Sequence, residues 1–444
     1  MNTTLPTKLL AFVLSLMLPA VAAAQISAAA DDYNNRGLSK EFKGDHDGAI
    51  ADYNRAIADF NRAIELDPKL AIFYSNRGLA KEAKGDHDGA IADFNRAIEL
   101  DPKQARAYMK RGFAKEAKGD ADGAIADFNR ANELDPKLAI FYSCRGLAKE
   151  AKGDHDGAIA EYNRAIELDP KQPRDYINRG LAKAGKGDHD GAIAEYNRAI
   201  EVDPKQSRAY MNRGFAKEAK GDLDGAIADY DRAIEIDPKV AAADYHNRAI
   251  AKEGKGDHDG AIADYTRAIE LNPEFAEGAY SNRGFAKQAK GDLDGAIADF
   301  NRVIELHPED AFAYSGRGLA KQAKGDLDGT IADYNRAIEL CPKQPRAYVN
   351  RGFAKQAKGD VDGASADYNR AVELATTIDG DPPRLASFCV DGTIADYNRA
   401  IELDPKQPRA YINRGFAKQA NGDVDGAIAD YDRALELAAN LAKP

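Results

Sequence analysis

The sequence predicts an all-α fold, an α-solenoid of stacked helix–turn–helix hairpins. Three observations lead to this prediction. A phrase of about 34 residues recurs from Ala30 onward, small and aromatic residues return at helical spacing inside each copy, and glycine and proline stand at fixed places between the helical stretches. Repeats of this length are typical of solenoids, in which each copy is one unit stacked on its neighbours. The 444 residues therefore measure the number of copies rather than the number of globular domains.

The copies align on a tyrosine that every full copy carries at its fourth position. A half copy occupies residues 391–407, and positions are counted below from 1 to 34 within a copy. The two predicted helices of a copy are named helix A and helix B. The eleven full copies begin near Ala30, Ala71, Ala105, Ala139, Pro173, Ser207, Ala242, Glu277, Ala311, Pro345 and Pro408.

The third copy, residues 105–138, shows why each copy predicts two helices. Tyr108 and Gly112 share one face of helix A, and Ala124 and Phe128 share one face of helix B, because residues four apart are neighbours on a helix surface. The small residues Gly112 and Ala124 allow two antiparallel helices to approach closely. The aromatic side chains fill the space beside that contact.

Glycine, aspartate and proline mark the ends of these helices. Gly119 suits the left-handed position that ends helix A. Asp120 or Asp122 can cap helix B by accepting hydrogen bonds from its free N–H groups, and Pro136 stops it. Gly123 lies in the first turn of helix B, and in a helix interior it would cost about 1 kcal/mol relative to alanine. We therefore expect modest stability per copy, summed through neighbour interfaces.

This pattern resembles the tetratricopeptide repeat family, whose copies carry Leu, Gly and Tyr in helix A and then Ala, an aromatic residue, Ala and Pro in helix B. The resemblance covers about residues 30–441. It implies a right-handed superhelix of helical hairpins with helix A on the concave face.

The copies also depart from the family pattern in a repeated way. Position 7 is arginine and position 11 is lysine, as in Arg77 and Lys81, and position 14 is lysine in every copy but the last, which has Asn421. Helix A is therefore poor in large apolar groups. Such a basic stripe could attract an acidic polymer or lipid headgroups. We favour pairing with the acids of helix B, because long cationic stems usually lie over apolar surface beside a counter-charge.

Residues 1–24 predict a secretory signal peptide. Lys8 and the amino terminus provide positive charge, residues 9–18 are mostly apolar, and the small residues end at Ala24. We expect cleavage near Ala24 and Gln25 and a periplasmic or secreted mature chain without an integral membrane segment. An uncleaved anchor is the alternative, which the shortness of the apolar stretch disfavours.

The predicted organisation is a signal peptide (1–24), ten stacked units (25–375), a degenerate repeat or loop (376–390) and one and a half C-terminal units (391–441). The first unit contains a seven-residue duplication, 51–57 followed by 58–64, which lengthens its helix B by nearly two turns. Pro382 and Pro383 disfavour a helix start in the degenerate segment. Asn132 and Ser365 place polar groups where core residues are expected.

The C-terminal end predicts a second possible role. The chain finishes with Leu435, Leu437 and Leu441 and has no extra polar helix, whereas solenoid ends usually need a polar cap. This end could fray or pair with a partner. A self-associating structural protein that assembles through the uncapped C-terminal repeat, and hence a homo-oligomer, is therefore the alternative function.

Composition and motifs argue against catalysis and against nucleic acid. The 62 Lys and Arg against 73 Asp and Glu give a formal charge of −11, and a general nucleic-acid binder needs a basic footprint. The histidines of the recurring GDHDG turn, such as His46 and His155, occur at most once per copy, in five copies, and are not expected to converge on a metal. The same turn lacks the spacing of a calcium loop. We expect no enzyme activity, no metal and no cofactor, and free thiols at Cys144, Cys341 and Cys389.

The better functional signal lies on helix A at position 6, which is asparagine in eight of eleven copies. An amide donates and accepts, so it can pair with the main chain of a peptide regardless of sequence. Such a row resembles the asparagine ladder in the repeat region of O-linked N-acetylglucosamine transferase. The alternative is a row of merely solvated amides. The proposed partner-binding asparagines are Asn76, Asn178, Asn212, Asn247, Asn282 and Asn350.

Two further positions of helix A could contact a ligand. Arginine at position 2 could hold carboxylates, or it could be solvated or locally paired. These arginines are Arg106, Arg174, Arg208 and Arg346. Leucine or phenylalanine at position 9, as in Phe113 and Phe215, offers apolar pockets or packs against the neighbouring helix. Taken together, these residues predict a non-catalytic scaffold that holds a partner protein or extended peptide along helix A.

Overall fold

A computed structural model describes residues 5–239, 241–273, 276–376, 394–421 and 423–441, and these residues form 23 helices and no strand. The chain divides into two compact units, 1–229 and 230–444, and each unit is described by itself. Within each unit the helices pack in sequence order as antiparallel A and B pairs, called hairpins below. The all-α solenoid prediction is confirmed, because helix follows helix with only short turns between them.

The A helices are α1 (Leu5–Phe42), α3 (Ala71–Ala83), α5 (Ala105–Ala117), α7 (Ala139–Ala151), α9 (Pro173–Gly185), α11 (Ser207–Ala219), α13 (Ala242–Gly254), α15 (Glu277–Ala289), α17 (Ala311–Lys324), α19 (Pro345–Ala357) and α22 (Pro408–Ala420). The B helices are α2 (His46–Leu66), α4 (His87–Leu100), α6 (Ala121–Leu134), α8 (His155–Leu168), α10 (His189–Val202), α12 (Leu223–Ile236), α14 (His258–Leu271), α16 (Leu293–Leu306), α18 (Leu327–Leu340), α20 (Val361–Thr376), α21 (Ile394–Leu403) and α23 (Val424–Leu441).

The hairpins close on a contact between position 8 of helix A, which is glycine in all but the seventh copy (Ala249), and the aromatic residue of helix B. In the third hairpin Phe128 is fully buried, and a Cβ atom placed on Gly112 would lie 2.7 Å from its ring. Real Cβ atoms do not approach a ring so closely, so glycine permits this helix spacing. Ala124 is fully buried beside them, as the sequence predicts.

The turn between the two helices is built from one glycine and one aspartate. Gly119 has a φ of 81°, the left-handed region that glycine adopts without a steric penalty. The side chain of Asp120 caps α6 by accepting a hydrogen bond from the N–H of Gly123. A Cβ on Gly123 would collide with that carboxylate. The cap therefore explains a glycine that helix propensity alone disfavours.

The basic stripe of helix A pairs with one buried acid of helix B. In the third hairpin, Arg111 donates to both oxygens of Asp127, at 2.8 Å and 2.5 Å, and Lys115 lies 2.8 Å from the same carboxylate. Only 4% of Asp127 is exposed. The guanidinium also lies over the ring of Tyr108, 5.5 Å from its centroid. The pairing prediction is confirmed, and the equivalent acids are Asp52, Asp93, Glu161, Glu195, Asp229, Asp264, Asp299, Asp333, Asp367 and Asp430.

The same stripe also joins neighbouring hairpins. The third guanidinium nitrogen of Arg111 donates to Asn95 on the preceding helix B at 2.7 Å. Lys118, at position 14, forms an ion pair with Asp88 at the start of that helix. Lys152 makes the equivalent contact with Asp122 at 2.5 Å, so the second candidate cap of α6 serves the interface between hairpins instead. Helix A contributes few large apolar side chains to the core, and these polar contacts add to the interactions between hairpins.

The seven-residue duplication lengthens α2 to 21 residues, compared with 14 in α4, which confirms the expected longer helix B. The added residues meet an equally extended α1: Ala23 packs with Ala63 and Phe73, and Ala30 packs with Phe60. Helix α1 runs without a break from Leu5, within the predicted leader, to Phe42. Within the described residues, no helix is both long enough and apolar enough to cross a bilayer.

The predicted irregularities have different outcomes. Asn132 is buried, and among the described residues its amide has no hydrogen-bond partner, as its core position predicts. Ser365 is half-buried, like its counterpart Ile91, which packs against the edge of a hydrophobic core cluster. The degenerate segment lies outside the described residues apart from Thr376, which ends α20. Beyond it, helices α22 and α23 share one hydrophobic cluster with α19 and α20, including Tyr368 and Tyr431.

Candidate functional site

The candidate site is a stripe along each A helix formed by positions 2, 6 and 9. These positions are spaced i, i+4 and i+7, so they share one face of a helix. On α11 the stripe consists of the exposed Arg208 and Phe215 and the half-buried Asn212. Arg213, one residue after Asn212, points instead to Asp229 of α12. The fold therefore separates a pairing face from a candidate binding face.

Within each unit, consecutive A helices approach one another. This holds for α1, α3, α5, α7, α9 and α11 in the first unit and for α15, α17, α19 and α22 in the second. Among the described residues, no consecutive B helices approach as closely except α20 and α23. The A helices therefore lie on the inner side of the curvature of each unit, as the family resemblance implies.

Apolar side chains remain exposed on the A helices. All four exposed phenylalanines of the described residues are there, at Phe113, Phe215, Phe285 and Phe312. Phe215 is 61% exposed. By contrast, the position-24 aromatic residues of the hairpin B helices, such as Phe128, are buried. Three of these phenylalanines, Phe113, Phe215 and Phe285, are at position 9. Phe113 and Phe285 also contact the buried rings of Phe128 and Phe300 edge-on, with ring centroids 5.3 Å and 5.0 Å apart. Position 9 therefore packs against its own helix B and still leaves apolar area exposed.

The predicted asparagines do not form a uniform row. Asn178 and Asn350 are 3% and 4% exposed, and Asn76 donates to Asp31 of the preceding A helix at 3.1 Å. Neighbouring A helices are close enough to cover or engage these amides. Asn212, Asn247 and Asn282 are half-buried.

Two of these amides keep unsatisfied donors. The Nδ2 atoms of Asn178 and Asn212 are buried and have no hydrogen-bond partner among the described residues. A buried polar group without a partner costs free energy. Because both Nδ2 atoms are buried, a partner's main chain could reach them only after neighbouring side chains move, so ligand contact at these asparagines stays a prediction.

The position-2 arginines are more accessible. Arg106, Arg174 and Arg208 are exposed, and Arg346 is half-buried. Among the described residues, the guanidinium groups of Arg174 and Arg208 make no hydrogen bond or ion pair, in contrast to the arginines of position 7. In the second unit, Arg409 lies over the ring of Phe353, 4.7 Å from its centroid.

A cleft of about 430 Å³ lies between the N-terminal ends of α9 and α11. The side chains that line it include Lys171, Arg174, Arg208 and Asp203. A second cleft of about 340 Å³ lies on the other side of Val202, and its charges, such as Arg179 with Glu195, are mutually paired. Of these two clefts, the first therefore presents uncompensated positive charge.

Buried acids also line the A helices. Asp175 accepts a hydrogen bond from Ser143 at 2.6 Å, and burial raises its pKa. Burial, with a smaller contribution from Asp237, raises the pKa of Asp244 to about 6. Lys110 replaces asparagine at position 6, and burial together with Arg106 lowers its pKa. These groups vary from copy to copy, so the face is not electrically uniform.

The remaining candidates show no reactive arrangement in the described part of the chain. No three His, Cys, Asp or Glu side chains there come together in a way that could hold a metal ion. His155 pairs locally with Glu150 at 2.8 Å. Cys144 is a buried free thiol whose pKa burial raises to about 12, and Cys341 is an exposed free thiol. Cys389 lies outside the described residues.

Sequence reasoning missed two features of this face. It did not identify the buried acids Asp175 and Asp244 at position 3, a position that is also aspartate in the first copy (Asp32) and alanine or phenylalanine in the others. It also did not pair Arg174 with Arg208 in one cleft. The sequence did contain a sign of this cleft. Within the first unit, the fifth and sixth copies are the one consecutive pair in which both copies carry arginine at position 2.

Comparisons with known proteins agree with this architecture. Models described as tetratricopeptide repeat match residues 33–58, 105–138, 177–241, 345–377 and 408–441. A model described as TPR repeat matches residues 52–85, 83–119, 150–187, 254–291, 288–325, 322–359 and 390–422. No curated protein matches the chain.

Solved structures resemble parts or most of the chain. The crystal structure of MamA is 32% identical over 37% of this chain and 96% of its own, with a TM-score of 0.34. YrrB, described as a TPR protein with an unusual peptide-binding site, is 24% identical over 44% of this chain and 97% of its own, with a TM-score of 0.35. Yeast Tom70 is 20% identical over 94% of this chain and 93% of its own, with a TM-score of 0.37.

The family models together span well over half of the sequence, and the hairpins they match are those described above. Repeat proteins of this type are generally non-catalytic scaffolds for protein interaction. The chain belongs to the tetratricopeptide repeat family.

Proposed function

We propose that this protein is a non-catalytic scaffold that holds a partner protein or an extended peptide segment along its A helices. The observation that carries the proposal is the composition of one helix face. Exposed phenylalanine, unpaired arginine and partly unsatisfied asparagine stand on the same stripe of the A helices. An extended segment running across successive A helices would meet each of these groups in turn.

Each of the three positions of the stripe can make a different kind of contact with a partner. Phe113 and Phe215 offer apolar contact area, which supplies most of the free energy in protein interfaces. Asn212, which is half-buried, carries an amide that can pair with a peptide main chain. Arg106, Arg174 and Arg208 offer charge-assisted hydrogen bonds to acidic groups. No catalytic arrangement is needed for any of these contacts.

Capture experiments with face-specific variants test this proposal. The double variant Phe113→Ser with Phe215→Ser removes exposed apolar area from two A helices. The matched control, Ile50→Ser with Leu66→Ser, removes residues of α2 that are 43% and 41% exposed. Partners retained by the wild-type protein should be lost from the first variant and kept by the second. Equal retention by both variants would contradict binding along the A helices.

The asparagines have a test of their own. Replacing Asn212 and Asn282 with alanine should weaken every captured partner, because each loses an amide that pairs with main chain. If every partner stays bound, these amides are structural or merely solvated.

We also propose that the protein acts in an exported compartment. The support is the residue pattern of 1–24, with Lys8, an apolar stretch and small residues before Gln25. Expression in a bacterial host with N-terminal sequencing of the periplasmic fraction tests this proposal. The expected first residue is Gln25, and a full-length cytoplasmic product beginning at Met1 would contradict it.

A second candidate function is self-association through the C-terminal hairpin. Leu403 on α21 is 74% exposed and Ile428 on α23 is 45% exposed, so this end offers apolar area. Light scattering at increasing concentration should then show a growing mass that deletion of 391–444 abolishes. A constant monomer mass would exclude this function.

A further inference from the structure

We propose that the cleft between α9 and α11 binds the carboxylates of an acidic peptide segment. The inference rests on the proposed scaffold function and names the chemical class of its partner. The cleft has a volume of about 430 Å³, and three cationic side chains, Lys171, Arg174 and Arg208, line it with one carboxylate, Asp203. The chain as a whole carries a formal charge of −11, so this concentration of positive charge runs against its general composition.

The single acid of the cleft does not neutralise the arginines. Asp203 accepts hydrogen bonds from the backbone N–H of Lys205 at 3.0 Å and from the side-chain amide of Gln206 at 2.7 Å. These two contacts lower its pKa, so it is ionised and already engaged. In the described part of the chain, neither guanidinium has an ion-pair partner within the cleft.

The contrast with other arginines of the same helices is clear. Arg179 on α9 pairs with Glu195 at 2.5 Å, and Arg213 on α11 pairs with Asp229 at 2.5 Å. Arg174 and Arg208 lie more than one helical turn before these two arginines, and both are exposed and unpaired. Unpaired guanidinium groups in one cleft are ready to accept a planar carboxylate in a bidentate contact.

The backbone also contributes to the positive electrostatic potential of the cleft. Helix α9 begins at Pro173 and α11 begins at Ser207, and neither N-terminus has a side-chain cap. The N-terminal end of a helix carries a partial positive charge that favours an anion. Two such ends meet beside the two arginines, so backbone and side chains act in one direction.

The surroundings of the cleft favour a peptide over a nucleic acid. Ile177 and Val202 also line it, and the exposed Phe215 lies on the same stripe of α11 as Arg208. A segment with acidic and apolar residues close together matches this combination. A nucleic acid would meet the overall negative charge of the chain after the first few phosphates.

Direct binding measurements test the inference. A fluorescein-labelled hexaglutamate peptide is titrated with the full chain at low salt and followed by fluorescence anisotropy, beside the isosteric hexaglutamine peptide and a labelled ten-nucleotide thymidine strand. We expect hexaglutamate to bind at least tenfold more tightly than either of the other probes. Equal binding of the two peptides, or tighter binding of the oligonucleotide, would overturn the inference.

Variants localise the binding. The double variant Arg174→Gln with Arg208→Gln should weaken hexaglutamate at least tenfold. The control Arg130→Gln with Arg164→Gln removes the same charge from B helices, where the two side chains are 48% and 50% exposed, and should change the affinity less than threefold. Equal losses in both variants would show a general charge effect and refute the cleft. Circular dichroism confirms that each variant is folded.

The same variants separate this inference from the scaffold function. If hexaglutamate fails to bind while captured partners still depend on Phe113 and Phe215, the cleft inference is wrong and the scaffold function stands. If the partners are also indifferent to Phe113 and Phe215, both are wrong.

Discussion

Removing the buried acid of one hairpin should destabilise that hairpin far more than removing an exposed acid nearby. In Asp127→Ala, Arg111 and Lys115 lose the carboxylate that both contact at 2.9 Å or less. Breaking a buried ion pair by deleting one partner costs about 3–5 kcal/mol. The Arg111 and Lys115 side chains keep 18% and 22% exposure, so water relieves part of this loss. We therefore expect the lower end of that range, about 3 kcal/mol.

The loss should be local, because each hairpin of a solenoid contacts only its neighbours. Native-state hydrogen exchange followed by mass spectrometry reads this directly. Peptides from α5 and α6 should lose roughly a hundredfold in protection, since each 1.4 kcal/mol is a factor of about ten. Peptides from α1 should keep their protection.

A matched control lies in the same hairpin. Glu133 pairs with Arg130 on the surface of α6, with side chains 63% and 48% exposed, and such pairs contribute about 0–1 kcal/mol. Glu133→Ala should therefore reduce protection less than about fivefold. If Asp127→Ala and Glu133→Ala cause equally small losses, the buried pair does not stabilise the hairpin and the reasoning fails.

Three further predictions concern packing, pH and thiol reactivity. Gly112→Ala should lower stability by about 1–3 kcal/mol in denaturant melts, because its Cβ would press on the ring of Phe128; an unchanged midpoint would contradict that contact. Asp244 has a pKa raised to about 6, so its contribution to stability is complete below about pH 4 and is lost as pH rises through 6. Asp244→Asn should therefore raise the melting temperature more at pH 7.5 than at pH 4, by an amount equivalent to roughly 2 kcal/mol; equal shifts at both pH values would refute it. Iodoacetamide should label Cys341 in the native protein and Cys144 only after unfolding, as peptide mass spectrometry can check; rapid native labelling of Cys144 would contradict its burial.

The fold was predictable because the sequence repeats the same pattern of small, aromatic and turn residues in every copy. A single Gly112 facing a single Phe128 would be weak evidence for a hairpin. Ten of the eleven copies repeat that spacing, and all eleven carry a glycine turn followed by an aspartate, so the hairpin prediction rests on many concordant observations. The pairing of Arg111 and Lys115 with helix B was predictable in kind. The particular partner was not predicted, although every copy carries Asp or Glu where the third copy has Asp127.

The candidate site was less predictable, because it depends on how closely successive A helices approach. Asn178 and Asn212 occupy the same position of their copies, yet the first is buried and the second is half-buried. That difference comes from neighbouring helices rather than from the repeat itself. Arg174 and Arg208 are 34 residues apart in sequence but line one cleft. Spacing within a copy cannot show such contacts between copies.

The central claim is that partners lie along the A helices, and site-specific photo-crosslinking tests it most directly. A benzophenone amino acid is placed at residue 215 on the A helix α11, or at residue 164 on the B helix α8, where the Arg164 side chain is 50% exposed. After irradiation with a captured partner, the account predicts a strong crosslink from residue 215 and little or none from residue 164. Equal crosslinking from both positions, or crosslinking from residue 164 alone, would contradict it.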